Sequence, residues 1–256
     1  MSRIHPTAII EAGAKIEASV EIGPYAVIGP HVEIGEGTTI GAHAVITGHT
    51  RIGKRNRIFQ FVSLGEQPQD KKYAGEPTRL EIGDGNAIRE FCTFNTGTVQ
   101  GGGVTRIGHR NWFMAYVHVA HDCIVGDDTV FANNTTLGGH VEVGNYAILG
   151  GLTAVHQFCK IGAHVMTAGG SIVYKDIPPY VMAAGSPVTP HGLNSEGLKR
   201  RGFTAETLAT LKRTYKVLYR DGLTLQEALE KLEAETAPEV AELAVFLRKA
   251  ERGIIR

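Results

Sequence analysis

Four of the chain's eleven histidines, His118, His121, His140 and His156, follow one another at separations of three, nineteen and sixteen residues. An imidazole can take or give a proton near neutral pH, or bind a metal through a neutral nitrogen. Asp122 directly follows His121, and Gly139 and Gln157 lie eighteen and thirty-six residues beyond it. If the chain repeats every eighteen residues, these positions share one edge. Gly139 then lies above His121, His140 above Asp122, and His156 above Gly138. Proton abstraction by a histidine, with the Gly139 N–H offered to a developing oxyanion, is one chemistry that suits this set. Zinc held by the His118-Val-Ala-His121 pair and a third histidine is the other. His5, His31, His43, His49, His109 and His164 read as solvated surface residues.

The eighteen-residue spacing comes from a period of six. Ile4, Ile10, Ile16, Ile22, Ile28, Ile34, Ile40, Ile46, Ile52, Ile58 and Leu64 recur without a miss, and the phase returns at Ile82, Ile88 and Phe94. It slips by one residue near Gln100-Gly101-Gly102-Gly103 and resumes at Ile107, continuing to Val173. Six matches neither the helical period nor the two-residue alternation of a simple sheet. It predicts a mainly β fold, a parallel β-helix in which three hexads make one triangular coil and eight to nine coils stack. The aliphatic residue fills the centre. The position four residues later is small or β-branched and packs beside it, and the glycine that often follows the aliphatic residue is expected to serve the bend between faces. Cys92, Cys123 and Cys159 all fall in the small inward slot, so three buried reduced thiols are expected.

Two segments break the period. Residues near 66–81, polar and with two prolines, read as a loop that leaves the prism and takes up a whole coil's length. A shorter excursion is expected near 99–104. Loops on a rigid scaffold commonly carry specificity. The β-helix is expected over residues 1–190 and a helical domain over 191–256. There Thr204 is a candidate N-cap, Thr224-Leu225-Gln226-Glu227 a capping box, and Pro238 the start of a further helix. The tail's basic residues cluster (Lys199, Arg200, Arg201, then Lys212, Arg213, Lys216 and Arg220), which suits either a solvated face or an acidic partner. With 26 basic and 26 acidic residues, nothing advertises a nucleic-acid surface or membrane insertion. No secretory signal pattern opens the chain, so a cytoplasmic protein is expected.

Several segments resemble the acyl-carrier-protein–UDP-N-acetylglucosamine O-acyltransferase family. They include Tyr73-Ala74-Gly75-Glu76-Pro77-Thr78, Ala120-His121-Asp122-Cys123, Val155-His156-Gln157-Phe158 and Glu196-Gly197-Leu198-Lys199-Arg200-Arg201-Gly202-Phe203. The resemblance covers the whole chain. It implies a left-handed β-helix, a homotrimer with sites between neighbouring prisms, and transfer of a 3-hydroxyacyl chain from acyl carrier protein to carbon 3 of UDP-N-acetylglucosamine, the opening step of lipid A synthesis. It implies no bound cofactor, because the acyl donor rides on the carrier's phosphopantetheine. His121 matches the family's general base, Asp122 the residue that orients it, and Gly139 the oxyanion donor. Lys72, His118, His140, His156 and Gln157 match residues of the sugar-nucleotide and pantetheine cleft, and Gln69 and Asp70 match loop contacts to the acyl chain. Asn194, Glu196, Arg200 and Arg201 match nucleotide and phosphate contacts. Gly169 matches the position that limits acyl length, and a small residue there implies a long chain of the 3-hydroxymyristoyl class.

Two points stand against a simple transfer of roles. Neighbours on a strand point to opposite faces, so Asp122 can orient His121 only if this edge is a bend. The family usually reads Ile-His-Arg-Gly-Thr where this chain has Phe94-Asn95-Thr96-Gly97-Thr98. That change leaves open a 3-amino UDP-sugar acceptor, giving an amide product, and a zinc-dependent hexapeptide enzyme is the reading from another class. An acetyl-CoA-dependent hexapeptide transferase is disfavoured by the Glu196-to-Phe203 run.

Overall fold

The computed structural model describes residues 4–256. Two-residue strands, joined by bends, stack into a left-handed parallel β-helix with three faces. The first face has nine strands, from Ile9–Ile10 to Ile172–Val173, and the second has eight, from Lys15–Ile16 to Lys160–Ile161. The third has ten, starting at Glu21–Ile22 and finishing in the antiparallel pair Val181–Gly185 and Val188–Leu193. Pairs such as Ile10 with Ile28 and Ile28 with Ile46 fix the coil at eighteen residues. Ile28, Ile46, Leu64, Phe94, Val119 and Leu137 run up the centre with no solvent exposure. Cys92, Cys123 and Cys159 are buried and unpaired. Burial pushes the Cys92 and Cys123 thiols up to about 12 and that of Cys159 to about 11, so none is a ready nucleophile.

The bends are built differently from the expectation. The glycines after the aliphatic residues do not supply the left-handed backbone. That role falls mainly to sixteen non-glycine residues with φ between 53° and 71°, among them Tyr25, Phe61, Asp122 and His140. The repeat glycines are needed because coils approach closely: a Cβ on Gly41 would sit 2.5 Å from the Gln60 nitrogen of the next coil. Close stacking, and not turn geometry, selects glycine there.

The first insertion is shorter than expected, and the second matches the expected one-residue slip of phase. Ile82 pairs with Ile52, an offset of 30 residues, so the first loop takes twelve residues beyond a coil and not a full eighteen. The loss of the period had hidden this. Ile107 pairs with Ile82, an offset of 25, so the second takes seven, including a 3₁₀ turn at Val99–Gly101. A buried amide ladder carries the register across both. The Asn56 side-chain oxygen accepts from the Asn86 backbone N–H (2.8 Å), and the Asn86 side-chain oxygen accepts from the Asn111 backbone N–H (2.9 Å). Asn111 in turn accepts from the Thr129 N–H and hydroxyl.

Four helices follow: α1 (Ser195–Arg200), α2 (Ala205–Tyr219), α3 (Leu225–Glu233) and α4 (Pro238–Arg248). Thr204 caps α2, the Thr224/Glu227 capping box opens α3, and Pro238 stands in the first turn of α4. The strand Val188–Leu193 continues through residues 190 and 191, because it returns antiparallel along Val181–Gly185 before α1 begins. The chain's end then docks back on the prism: Asp176 N–H donates to Gly253 and Ile255 N–H to Asp176. No helix is long and apolar enough to cross a membrane among the described residues.

Candidate active site

His118 opens a strand on the first face (His118–Val119), half-buried beside the inward Val119, and His121 and Asp122 form the bend that leads to the second face. Asp122 has φ 61°, which turns its side chain back beside that of His121. The geometric objection to an Asp122–His121 pair is thereby resolved: His121 Nδ1 and Asp122 Oδ2 are 2.7 Å apart. The Asp122 side chain has no exposure, and that of His121 has 14%. His140 occupies the same bend one coil higher. Its ring meets the His121 ring edge-on at 5.1 Å, its Nε2 lies 3.7 Å from Asp122 Oδ2, and its outer side stacks on Phe158 at 4.3 Å.

Asp122 is held from several sides. Its Oδ1 accepts the Thr98 backbone N–H (2.8 Å) and its Oδ2 accepts the Thr98 hydroxyl (2.6 Å), while its own N–H donates to Thr105 (2.8 Å). Burial by itself would raise this carboxyl, but the bonds from His121 and Thr98 outweigh it and hold the group below the ordinary carboxylate range. Desolvation lowers both His118 and His140, so both are neutral imidazoles at neutral pH. His118 Nδ1 is fixed by the Thr93 hydroxyl at 2.7 Å.

Gly139 lies against the free edge of His121. A Cβ there would stand 2.5 Å from His121 Cε1 and 2.6 Å from Nε2, so only glycine fits. The N–H groups of Gly138 and His140 bond to Val155 and His121, whereas that of Gly139 has no protein acceptor among the described residues. The result is a histidine with Nδ1 tied to a buried carboxylate, Nε2 directed away from it, and an uncommitted backbone donor beside Nε2. Such a set can withdraw a proton from a hydroxyl and stabilise a nearby oxyanion. His121, Asp122 and His140 also bring three ligand atoms within 4.8 Å of one another. The carboxylate's oxygens, however, already accept from Thr98 and face the Nδ1 of His121, so a cation would have to displace an internal network.

The other expected site residues are more scattered. His156 and Gln157 follow on the same edge one coil above Gly138 and Gly139, both exposed, with the His156 ring 5.9 Å from Tyr174. Gln69, Asp70 and Lys72 lie on the first loop, where the Lys72 N–H donates to Asp70, and Asp70 is close enough to act on His140. Gly169 sits at the opposite border of the first face, near the Gly151 carbonyl. Asn194 caps α1 and donates to the His164 carbonyl at the third corner, Arg201 covers the Tyr146 ring at 4.2 Å, Glu196 pairs with Lys199, and Arg200 is exposed. His164 is not the solvated residue expected. It packs between Tyr146 and Tyr180, and burial lowers it to about 4.

Asn95 and Thr96 are buried below the histidine corner, at 3% exposure each. Asn95 donates to the Glu66 and Gln67 carbonyls, and Thr96 accepts from Thr78, so the two fasten the base of the first loop. Thr93, Thr98, Thr105 and Phe158 escaped the sequence reading. Thr98 lies in the segment where the period slips, so counting eighteens could not place it. Phe158 was reachable, since it falls eighteen residues after His140.

The comparisons with known proteins concern the family and the fold. Residues 176–255 match the family description "Udp N-acetylglucosamine O-acyltransferase; Domain 2", and residues 1–36, 13–48 and 105–139 match "Bacterial transferase hexapeptide (six repeats)". The acyl-[acyl-carrier-protein]–UDP-N-acetylglucosamine O-acyltransferase of Thiobacillus denitrificans is 71% identical over 258 residues, covering all of both chains. The structure of LpxA from Acinetobacter baumannii superposes with a TM-score of 0.97 at 48% identity, covering 99% of this chain and all of that one. The UDP-N-acetylglucosamine O-acyltransferase of Moraxella catarrhalis does so with a TM-score of 0.97 at 47% identity and the same coverage. Full-length identity of this order, together with the shared fold, places the chain in the family of acyl-[acyl-carrier-protein]–UDP-N-acetylglucosamine O-acyltransferases.

Proposed function

We propose that the chain transfers a 3-hydroxyacyl group from acyl carrier protein to the 3-hydroxyl of UDP-N-acetylglucosamine, with His121 as general base. The observation that carries this reading is the 2.7 Å His121–Asp122 pair with the uncommitted Gly139 N–H beside it. The bond to Asp122 keeps the proton on Nδ1 and leaves the Nε2 lone pair to take the sugar's hydroxyl proton. The sugar oxygen attacks the thioester carbonyl, and the oxyanion accepts from Gly139. Collapse forms the ester and expels the pantetheine sulfur, which receives the proton from His121. No resident metal or organic cofactor is needed, and both partners are water-borne, which fits a cytoplasmic enzyme.

A homotrimer fits the distribution of surface chemistry. The second face carries a ladder of charges, Lys15 with Glu33 and Arg106 with Glu81 among them. The third face instead exposes Trp112, Met166 and Met182. The bend between third and first faces stacks Tyr25, His43, Phe61, Phe91 and Tyr116 at centroid distances of 4.8–5.3 Å, with Tyr25 58% and Tyr116 54% exposed. Exposed apolar surface of this extent marks an interface. The matched residues also lie at three different corners of one prism, which supports a site completed by a neighbour.

His121→Ala is expected to lower kcat by about 10²–10⁴ with KM for the sugar nucleotide little changed; steady-state kinetics with 3-hydroxymyristoyl–acyl carrier protein checks it, and wild-type kcat overturns the role. The product should be an ester cleaved by mild base. A base-stable amide, formed preferentially from a 3-amino UDP-sugar, would instead support the amine acceptor.

A further inference from the structure

We propose that Thr98, with the turn it opens, is a positioning residue for the catalytic base, acting through Asp122; this rests on His121 being that base. The Thr98 hydroxyl accepts from the Gly101 N–H (3.2 Å), so its single proton is directed to Asp122 Oδ2 at 2.6 Å. The backbone N–H of the same residue donates to Oδ1 at 2.8 Å. One residue thus grips both carboxylate oxygens, and Thr98 is itself only 2% exposed. Val99–Gly101 then closes over the carboxylate. A Cβ on Gly101 would lie 2.1 Å from Asp122 Cγ and 2.3 and 2.4 Å from its oxygens, so the turn admits glycine alone.

The consequence reaches His121. An ionised Asp122 accepts a proton from His121 Nδ1, and that fixes the tautomer whose Nε2 can act as base. Two donors from Thr98 keep the carboxylate ionised and set its plane, so that Oδ2 points to Nδ1. The seven-residue insertion is therefore part of the machinery. It breaks the repeat in the coil beneath Asp122, and the Thr98 hydroxyl and N–H that it places there are the two donors to that carboxylate.

Thr98→Val removes the hydroxyl and keeps shape and backbone N–H. A hydrogen bond to a charged group is worth about 1.5–3 kcal/mol, so kcat is expected to fall roughly 10- to 100-fold. KM for UDP-N-acetylglucosamine should stay within about twofold, because Thr98 faces Asp122 and not the open cleft. The acid limb of the kcat/KM profile should move to higher pH, since the Asp122 carboxylate holds a proton more tightly once the Thr98 donor that lowers it is gone. Thr98→Ser, which keeps the hydroxyl, should restore kcat and the acid limb. Should the valine variant not fold, Thr98→Ser against Thr98→Cys carries the same comparison, the thiol being the weaker donor. A hydroxyl-less variant with wild-type kcat and acid limb, beside an inactive His121→Ala, overturns the role of Thr98 alone. An active His121→Ala overturns both this role and the assignment of the base.

Discussion

The two nitrogens of the His121 imidazole meet different environments, which is what its proposed role as base requires. Nδ1 faces a carboxylate without solvent exposure, and Nε2 faces a glycine whose N–H is uncommitted. The tolerance at Gly139 is correspondingly small. Gly139→Ala would place a methyl within 2.6 Å of Nε2 and push the ring away from both Asp122 and the incoming hydroxyl. A displacement near 1 Å costs on the order of 10²-fold in rate. We expect that loss in kcat with a melting temperature within a few degrees of wild type, measured by steady-state assay and calorimetry. A base at His121 and a donor at Gly139 were open to reading from residue type and spacing, whereas an orienting role for Asp122 came only from the family resemblance. The φ of 61° that lets Asp122 reach back was not open to such reading, because no local residue preference announces it.

Among the elements, the bends and insertions carry more information than the two-residue strands. The strands repeat, and most contribute one buried apolar side chain, aliphatic or, at Phe94, Phe113 and Phe131, aromatic. The bends place His121, Asp122 and His140, and the insertions place Thr98, Asp70 and the loop base. The asparagine ladder holds these irregular parts to the regular ones. Asn86→Ala would leave the Asn111 N–H without its acceptor and the Gly108 carbonyl without its side-chain donor, while the Asn56 side-chain oxygen keeps the backbone N–H of residue 86. Each unpaired buried group costs about 1–3 kcal/mol, so a loss of about 3–5 kcal/mol in unfolding free energy is expected by denaturant titration. Activity per folded molecule should fall too, since the 30- and 25-residue offsets set the height of both loops. The length of the first insertion was misjudged from sequence because a broken period gives no ruler. The helical tail was more legible: Thr204, Thr224 with Glu227, and Pro238 mark helix starts through local hydrogen bonding that needs no tertiary context.

For the whole molecule, one prism offers a corner of histidines but scatters the other matched residues over its remaining corners. The proposed threefold assembly would resolve that scatter, and the stacked aromatic bend is its expected seam. Phe61→Asp with Phe91→Asp would set two adjacent carboxylates into that seam, where like charges repel and burial penalises them. Light scattering should then give a species at the chain's 27.5 kDa in place of one three times larger, with activity lost alongside. A trimer that persists with both substitutions would refute the seam. By itself the sequence determined the architecture, because a six-residue period fixes which side chains face inward and which residues stack eighteen apart. It also determined the edge on which His121, Gly139 and His140 meet. Only the tertiary structure decided that Asp122 bends back to His121, that Thr98 and Gly101 enclose its carboxylate, and that Asn95 and Thr96 serve the loop's base beneath the cleft. Those facts depend on backbone angles at bends and on contacts across insertions, where no periodic rule connects position in the chain to position in space.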